Sequence, residues 1–242
     1  MLDDVYEPQK ILAVDDNAYT LRIVQHTLER AGYQVLTAVS GQDALQLINR
    51  HGIPHLAVVD LHMPVMSGFE FCHAVRDFSD MPVIMLTAVN TEETIIEGLE
   101  KYAEDYIVKP FNPNELVARV KRVLRRMGDY SYTLDAITRV DDRLSINFPN
   151  REAFINDTSV SLTPTETKLL YILVRNAGRI VTTEFLLNRI WPMEDAHEDR
   201  LHVHVHRLRR KIEIDHNDPH YIVAERGTGY RFAASVKEQP DK

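Results

Sequence analysis

Five short apolar runs, each followed by an amphipathic stretch, fill the chain as far as residue 126. Ile11–Val14, Val35–Ala38, Leu56–Val59, Val83–Leu86 and Tyr106–Val108 read as strands, because short continuous apolar runs suit strands buried on both faces. The segments between and after them, about 17–31, 41–50, 68–77, 91–101 and 113–126, read as helices. Such an alternation predicts an α/β domain, a doubly wound five-stranded parallel sheet of flavodoxin-like type with right-handed crossovers. Any functional crevice then lies above the C-terminal ends of the strands.

What stands at those ends is informative. The third run ends on Asp60, followed by Leu61-His62-Met63-Pro64. Asp15-Asp16 closes the first run, Thr87 the fourth, and Lys109 the fifth. Four strand ends thus supply three carboxylates, a hydroxyl and an amine, a set able to hold a divalent cation and a phosphoryl group together. Each residue has a plainer alternative. Asp15-Asp16 could cap the next helix, Lys109 could be a solvated lysine, and Tyr106 a core aromatic. The joint arrangement favours the phosphoryl site, since the plainer readings require four coincidences.

After residue 126 the pattern changes. Met127-Gly128-Asp129-Tyr130-Ser131 reads as a helix stop and linker. Ile137–Val140, Leu144–Phe148, Ala153–Ile155 and Val160–Leu162 read as a small antiparallel sheet. Thr163-Pro164-Thr165-Glu166 is a helix start, with Thr163 as N-cap and Glu166 closing a capping box. Thr182 or Thr183 opens a second helix. The expected layout is a first domain over 1–126, a linker over 127–133, an α+β domain over 134–236 and a tail over 237–242.

The third helix of that domain, about Arg200–Ile212, carries the second candidate site. Leu201, Val205, Leu208 and Ile212 form its apolar seam. Val203, His206, Arg207 and Arg210 occupy the opposite face, with Arg200 close by. Arginines on an exposed helix suit phosphates and guanine edges, and a valine suits a thymine methyl. The rival reading, a solvated charged helix, leaves Val203 unexplained. Tyr221–Ala224 and Tyr230–Ala233 flank a glycine-rich turn as a hairpin, which places Arg226 to enter a minor groove. Residues 202 and 206 share a helix face but 204 does not, so a metal site on His202, His204 and His206 is disfavoured.

Charge is consistent with a nucleic-acid partner only when resolved along the chain. The net charge is −8. Residues 1–127 carry 12 basic against 18 acidic side chains, and residues 128–242 carry 16 against 18. Within the latter, Arg200–Lys211 holds five basic residues and no acidic one, and local distribution governs binding. The single Cys72 excludes an internal disulfide and fits a reducing cytoplasm; its place in an amphipathic pattern suggests packing. No apolar run is long enough to span a bilayer, so no membrane association is expected, and the acidic start Met1-Leu2-Asp3-Asp4 argues against a signal peptide.

Residues from Lys10 to about Arg126 resemble the receiver domain of two-component response regulators. The resemblance rests on Asp15-Asp16, Asp60 with Met63-Pro64 and Gly68, Thr87-Ala88, and Tyr106-Ile107-Val108-Lys109-Pro110-Phe111. It implies Mg²⁺ held directly by Asp16, Asp60 and the His62 backbone carbonyl, and by Asp15 through water. It implies that Asp60 takes a phosphoryl group from a sensor histidine kinase, that Thr87 and Lys109 contact its oxygens, and that Tyr106 rotates inward as the switch. The Lys109-Pro110 bond matches the family's cis peptide. Such a protein catalyses its own phosphorylation and dephosphorylation and is otherwise a regulator.

The resemblance also implies a salt-bridged dimer face that includes Asp105, Arg119 and Arg126. Thr94-Ile95 depart from the family's pattern, leaving Ile95 where a basic partner is expected, and Tyr102-Ala103 replace its Gly-Ala.

The second half resembles the winged-helix effector domain of OmpR/PhoB-type regulators. Leu162-Thr163-Pro164-Thr165-Glu166, His204 with Arg207–Lys211, and Arg226–Phe232 carry this match. The family's Val-Asp-Val-His-Ile is here Leu201–Val205, so His202 replaces an Asp, and Met193–Asp199 is slightly shorter. The implied partners are double-stranded DNA with tandem half-sites, a second copy of the chain when phosphorylated, and RNA polymerase. Two alternatives stay open at this level. One is a Mg²⁺-dependent phosphohydrolase, although His62 stands where such enzymes need a second acid. The other is a phosphorylation-independent regulator with a vestigial pocket.

Overall fold

Strands β1 (Lys10–Val14), β2 (Gln34–Ala38), β3 (Leu56–Asp60), β4 (Val83–Thr87) and β5 (Asp105–Val108) form one parallel sheet in the order β2-β1-β3-β4-β5. The computed structural model describes residues 8–88, 103–126, 134–156, 158–192 and 194–234. The expected helix over 91–101, the departures at Thr94-Ile95 and Tyr102, the linker 127–133 and the tail 237–242 lie outside them. The chain divides into two compact units, residues 1–74 with 81–133, and residues 75–80 with 134–242.

In the first unit, helices α1 (Ala18–Arg30), α2 (Gly41–His51), α3 (Gly68–Arg76) and α4 (Pro113–Arg126) flank the sheet. Ile11 and Ala13 of β1, with Leu56 and Val58 of β3, join Leu21, Val24 and Leu28 of α1 and Leu116, Val120 and Val123 of α4 in one core. The alternate strand residues Leu12, Val14, Ala57 and Val59 are buried as well. Both faces are therefore covered, which is why the strands read as unbroken apolar runs. Cys72 of α3 is fully buried, as its pattern suggested. Local chemistry sets the helix starts: Asn17 Oδ1 accepts the Tyr19 and Thr20 N–H groups, and Ser40 Oγ accepts that of Asp43.

In the second unit, β6 (Thr138–Arg139), β7 (Leu144–Asn147), β8 (Glu152–Ile155) and β9 (Thr158–Ser161) form the expected antiparallel sheet. Helix α5 (Pro164–Arg175) opens with the anticipated capping box: the Thr163 N–H donates to Glu166 Oε2 at 2.8 Å and the Glu166 N–H to Thr163 Oγ1 at 3.3 Å. Thr182 caps α6 (Thr183–Ile190). Helix α7 (Glu198–Ile212) starts two residues earlier than its charge pattern indicated and buries Leu201, Val205, Leu208 and Ile212. Burying four such side chains stabilises the docked helix by roughly 2 kcal/mol each.

A three-stranded sheet completes the unit, in the order β10-β12-β11. The hairpin of β11 (Ile222–Glu225) and β12 (Gly229–Phe232) was anticipated; β10 (Ile180–Thr182) was not. Its three residues carry too little pattern, and its pairing with β12 spans about fifty residues. A Cβ on Gly229 would stand 2.0 Å from the Val181 carbonyl oxygen, so only glycine permits this close approach of β12 to β10.

Candidate functional site

The strand order reverses at β1, with β2 on one side and β3 on the other, and opens a crevice above their C-terminal ends. The two acidic strand ends meet there. Single ligand oxygens of Asp15, Asp16 and Asp60 all lie within 4.8 Å of one another, the only such group of three metal-ligating side chains among the described residues. Asp15 and Asp60 are buried and Asp16 is exposed. Lys109, from the end of β5, reaches across: its Nζ stands 2.6 Å from Asp15 Oδ2 and 3.0 Å from Asp60 Oδ2.

Backbone donors complete the pocket. The Asn17 N–H donates to Asp15 Oδ1 at 2.9 Å, and the His62 N–H approaches Asp60 Oδ1 at 3.4 Å. Burial pushes the Asp15 carboxyl above its ordinary value, against the opposing pull of Lys109 and the Asn17 N–H. Thr87 ends β4 and is buried; its carbonyl accepts the Lys109 N–H at 2.7 Å. Lys109-Pro110 is cis, and Tyr106 lies half-buried on β5. Gly68 holds the crevice floor: a Cβ there would meet the Asp60 carbonyl oxygen at 2.5 Å. Hard oxygen donors with one open side suit Mg²⁺, which keeps several waters and needs few protein ligands. The donor set fits that ion.

Asp105, Arg119 and Arg126 lie on β5 and α4. Asp105 is buried, and its carboxylate accepts from Arg119 Nη1 at 2.9 Å and from Arg122 Nη2 at 2.5 Å. Arg119 also bonds Glu115, and Arg126 stands 3.9 Å from Glu104. Arg122 was absent from the sequence reading; its i+3 spacing from Arg119 was the available signal.

On the second unit, α7 separates its basic residues by task. Arg209 donates to the Ile222 carbonyl and Lys211 to the Glu166 carboxylate at 2.7 Å, so both tie the helix to its scaffold. Arg200 lies over the Trp191 ring and pairs with Glu194, which places it on a flank. Val203, His206, Arg207 and Arg210 are exposed, as expected, and so is Arg226 at the hairpin turn. His202 stands edge-on to Tyr230, His204 beside Trp191, and His206 against His216. Burial holds the His204 imidazole below its ordinary value, in keeping with a packing role. Sequence reasoning also missed Glu213, whose carboxylate accepts the His220, Tyr221 and Ile222 N–H groups and anchors β11 to the end of α7. A carboxylate just past an apolar seam was its only signal.

The comparisons agree with this geometry. Residues 11–121 match the family model of the response regulator receiver domain, and residues 157–232 that of the C-terminal domain of transcriptional regulatory proteins. A probable transcriptional regulator, ycf27 of Pyropia yezoensis, is 40% identical over 238 residues, 96% of this chain and 97% of the relative. The DNA-binding response regulator MtrA of Mycobacterium leprae is 38% identical over 224 residues, 92% of this chain and 97% of its own. Among solved structures, DrrB of Thermotoga maritima, an OmpR/PhoB homologue, is 32% identical over 93% of this chain, with a TM-score of 0.45. No described helix is long and apolar enough to cross a membrane. With an acidic receiver pocket on one unit and a C-terminal transcriptional regulatory domain on the other, the chain belongs to the OmpR/PhoB family of two-component response regulators.

Proposed function

We propose that phosphoryl transfer to Asp60 controls promoter binding by α7 and the β11–β12 hairpin. The observation that carries this reading is Lys109 Nζ, within 3.0 Å of both Asp15 and Asp60 beside an open carboxylate cluster. An Asp60 carboxylate oxygen attacks the phosphorus of a phosphohistidine on a sensor histidine kinase. The phosphorus–nitrogen bond breaks, and the imidazole leaves with the electron pair and takes up a proton. Bound Mg²⁺ supplies charge neutralisation at the phosphoryl oxygens; Asp15, Asp16, Asp60 and the His62 carbonyl would hold it. Lys109 exchanges its Asp60 contact for a phosphoryl oxygen, and the Thr87 hydroxyl donates to another.

The modification replaces the single negative charge of the Asp60 carboxylate by a phosphoryl group of roughly −1.5 to −2, a net gain of at most about one negative charge, and adds three strong acceptor oxygens. Drawing the Thr87 loop inward vacates space for Tyr106, which couples the pocket to the β5–α4 face. Asp105, Arg119 and Arg126 on that face then pair two copies on tandem half-sites. Asp105 is already engaged by Arg119 and Arg122 within the chain, so pairing requires an exchange of partners. Val203, His206, Arg207 and Arg210 meet the major groove and Arg226 the minor groove; Arg200 joins them only by leaving Glu194. The protein works in the cytoplasm, with RNA polymerase as a further partner, over domains 1–126 and 134–236.

The test is phosphate incorporation from a small-molecule phosphodonor with Mg²⁺. Asp60→Asn abolishes it; incorporation that survives in the variant refutes the assignment. Arg207→Ala weakens DNA binding and leaves phosphorylation intact.

A further inference from the structure

Helix α7 presents two stripes of identical spacing on opposite sides. Leu201, Val205, Leu208 and Ile212 recur at i, i+4, i+7 and i+11 and are buried. Asp199, Val203, His206 and Arg210 recur in the same register, displaced by two residues, and all four are exposed. A shift of two residues on a helix is a rotation of about 200°, so this second stripe points directly away from the core. It begins with a carboxylate, on a face otherwise basic or apolar.

The Asp199 carboxylate makes no hydrogen bond or ion pair among the described residues. It is the second residue of the helix, and the first turns of a recognition helix are the ones that reach base edges. An unpaired carboxylate facing a phosphate polyanion weakens binding unless it gains a donor. Major-groove donors are the amino groups of cytosine N4 and adenine N6. Adenine presents its N7 acceptor beside that donor, which repels a carboxylate, as do guanine N7 and O6; cytosine presents the donor alone. We infer that Asp199 is a specificity-determining residue, accepting a hydrogen bond from cytosine N4 at one position of each half-site. The inference rests on α7 being the reading helix, as proposed above.

The competing role is local. An acidic residue in the first turn favours the helix dipole, and the N-cap His197 offers no side-chain cap bond. Glu198, one residue earlier, supplies the same charge there, so the dipole does not account for Asp199 lying in line with Val203, His206 and Arg210.

The experiment is selection of bound sequences from random DNA by the full chain, phosphorylated with a small-molecule donor. Wild type, Asp199→Ala, Asp199→Asn and Arg207→Ala are compared, and the melting temperature of each is recorded. Wild type selects cytosine at one position per half-site by about tenfold. Asp199→Ala loses preference at that position alone and binds non-specific DNA more tightly, because a repulsive charge is gone. Asp199→Asn shifts the same position towards adenine, whose N6 and N7 suit a carboxamide. If both Asp199 variants keep the wild-type preferences, with or without a lowered melting temperature, the assignment is overturned. Should Arg207→Ala weaken binding in that case, only Asp199 has been misread. Should Arg207→Ala also bind as wild type, the reading of α7 itself has failed.

Discussion

Replacing Lys109 by Met removes one charge from the pocket while keeping the length and apolar stem of the side chain. Its ammonium stands 2.6 Å from Asp15 and 3.0 Å from Asp60. At an effective dielectric near 20, each pair is worth about 6 kcal/mol of gross attraction. Desolvation of the three groups consumes most of that, and removing one partner of a buried pair costs about 3–5 kcal/mol net. The Lys109 side chain retains 20% of its exposure and Asp16 is exposed, so water softens the loss. The expected destabilisation is therefore at the low end, about 3 kcal/mol, in Mg²⁺-free buffer at pH 7.

Two linked effects accompany it. Burial already pushes the Asp15 carboxyl up, and a carboxyl with a raised folded-state pKa costs stability as pH rises through it. Losing Lys109 raises it further, so the gap between variant and wild type narrows on acidification from pH 7 to pH 5. Added Mg²⁺ replaces the missing positive charge and recovers part of the loss by mass action. Urea unfolding at three pH values, with and without Mg²⁺, measures all three. A loss under 1 kcal/mol, or a gap that widens on acidification, refutes the electrostatic account of the pocket.

Val65 holds φ +70° with its side chain 93% exposed, a backbone region that costs an L-residue about 1–2 kcal/mol. Val65→Asn loses no packing there and tolerates the conformation better, so urea unfolding should show a gain of about 1 kcal/mol. Burial alone would raise the Glu166 carboxyl, but Lys211 and the Thr163 groups hold it below its ordinary 4.5. Its contribution is thus fully present above that value and lost as pH falls through the depressed one. Glu166→Gln should lose about 1–2 kcal/mol at pH 7, with the gap from wild type closing below pH 4 in chemical denaturation of the full chain.

How much of this was legible in the residues depends on the reach of each interaction. The strands of the first unit could be read because both faces of its sheet are covered, which leaves unbroken apolar runs. The Thr163–Glu166 capping box could be read because both partners lie within one helical turn. The strand-end residues Asp15, Asp60, Thr87 and Lys109 could be grouped because parallel topology carries every such end to one edge. β10 escaped notice because three residues hold too little period, and its identity as a strand comes from pairing with β12.

Tertiary structure alone decided what the charged side chains do. Arg200, Arg207, Arg209, Arg210 and Lys211 are one basic run in the chain. Trp191 with Glu194, the Ile222 carbonyl and Glu166 divert three of them, leaving Arg207 and Arg210 facing outward. Asp105 likewise acquired Arg122 beside Arg119, and Asp199 was seen as part of a stripe only once the start of α7 was placed. The physical reason is range. Burial patterns and caps are written within a few residues, whereas an ion pair is settled by whichever distant group the fold delivers within about 4 Å.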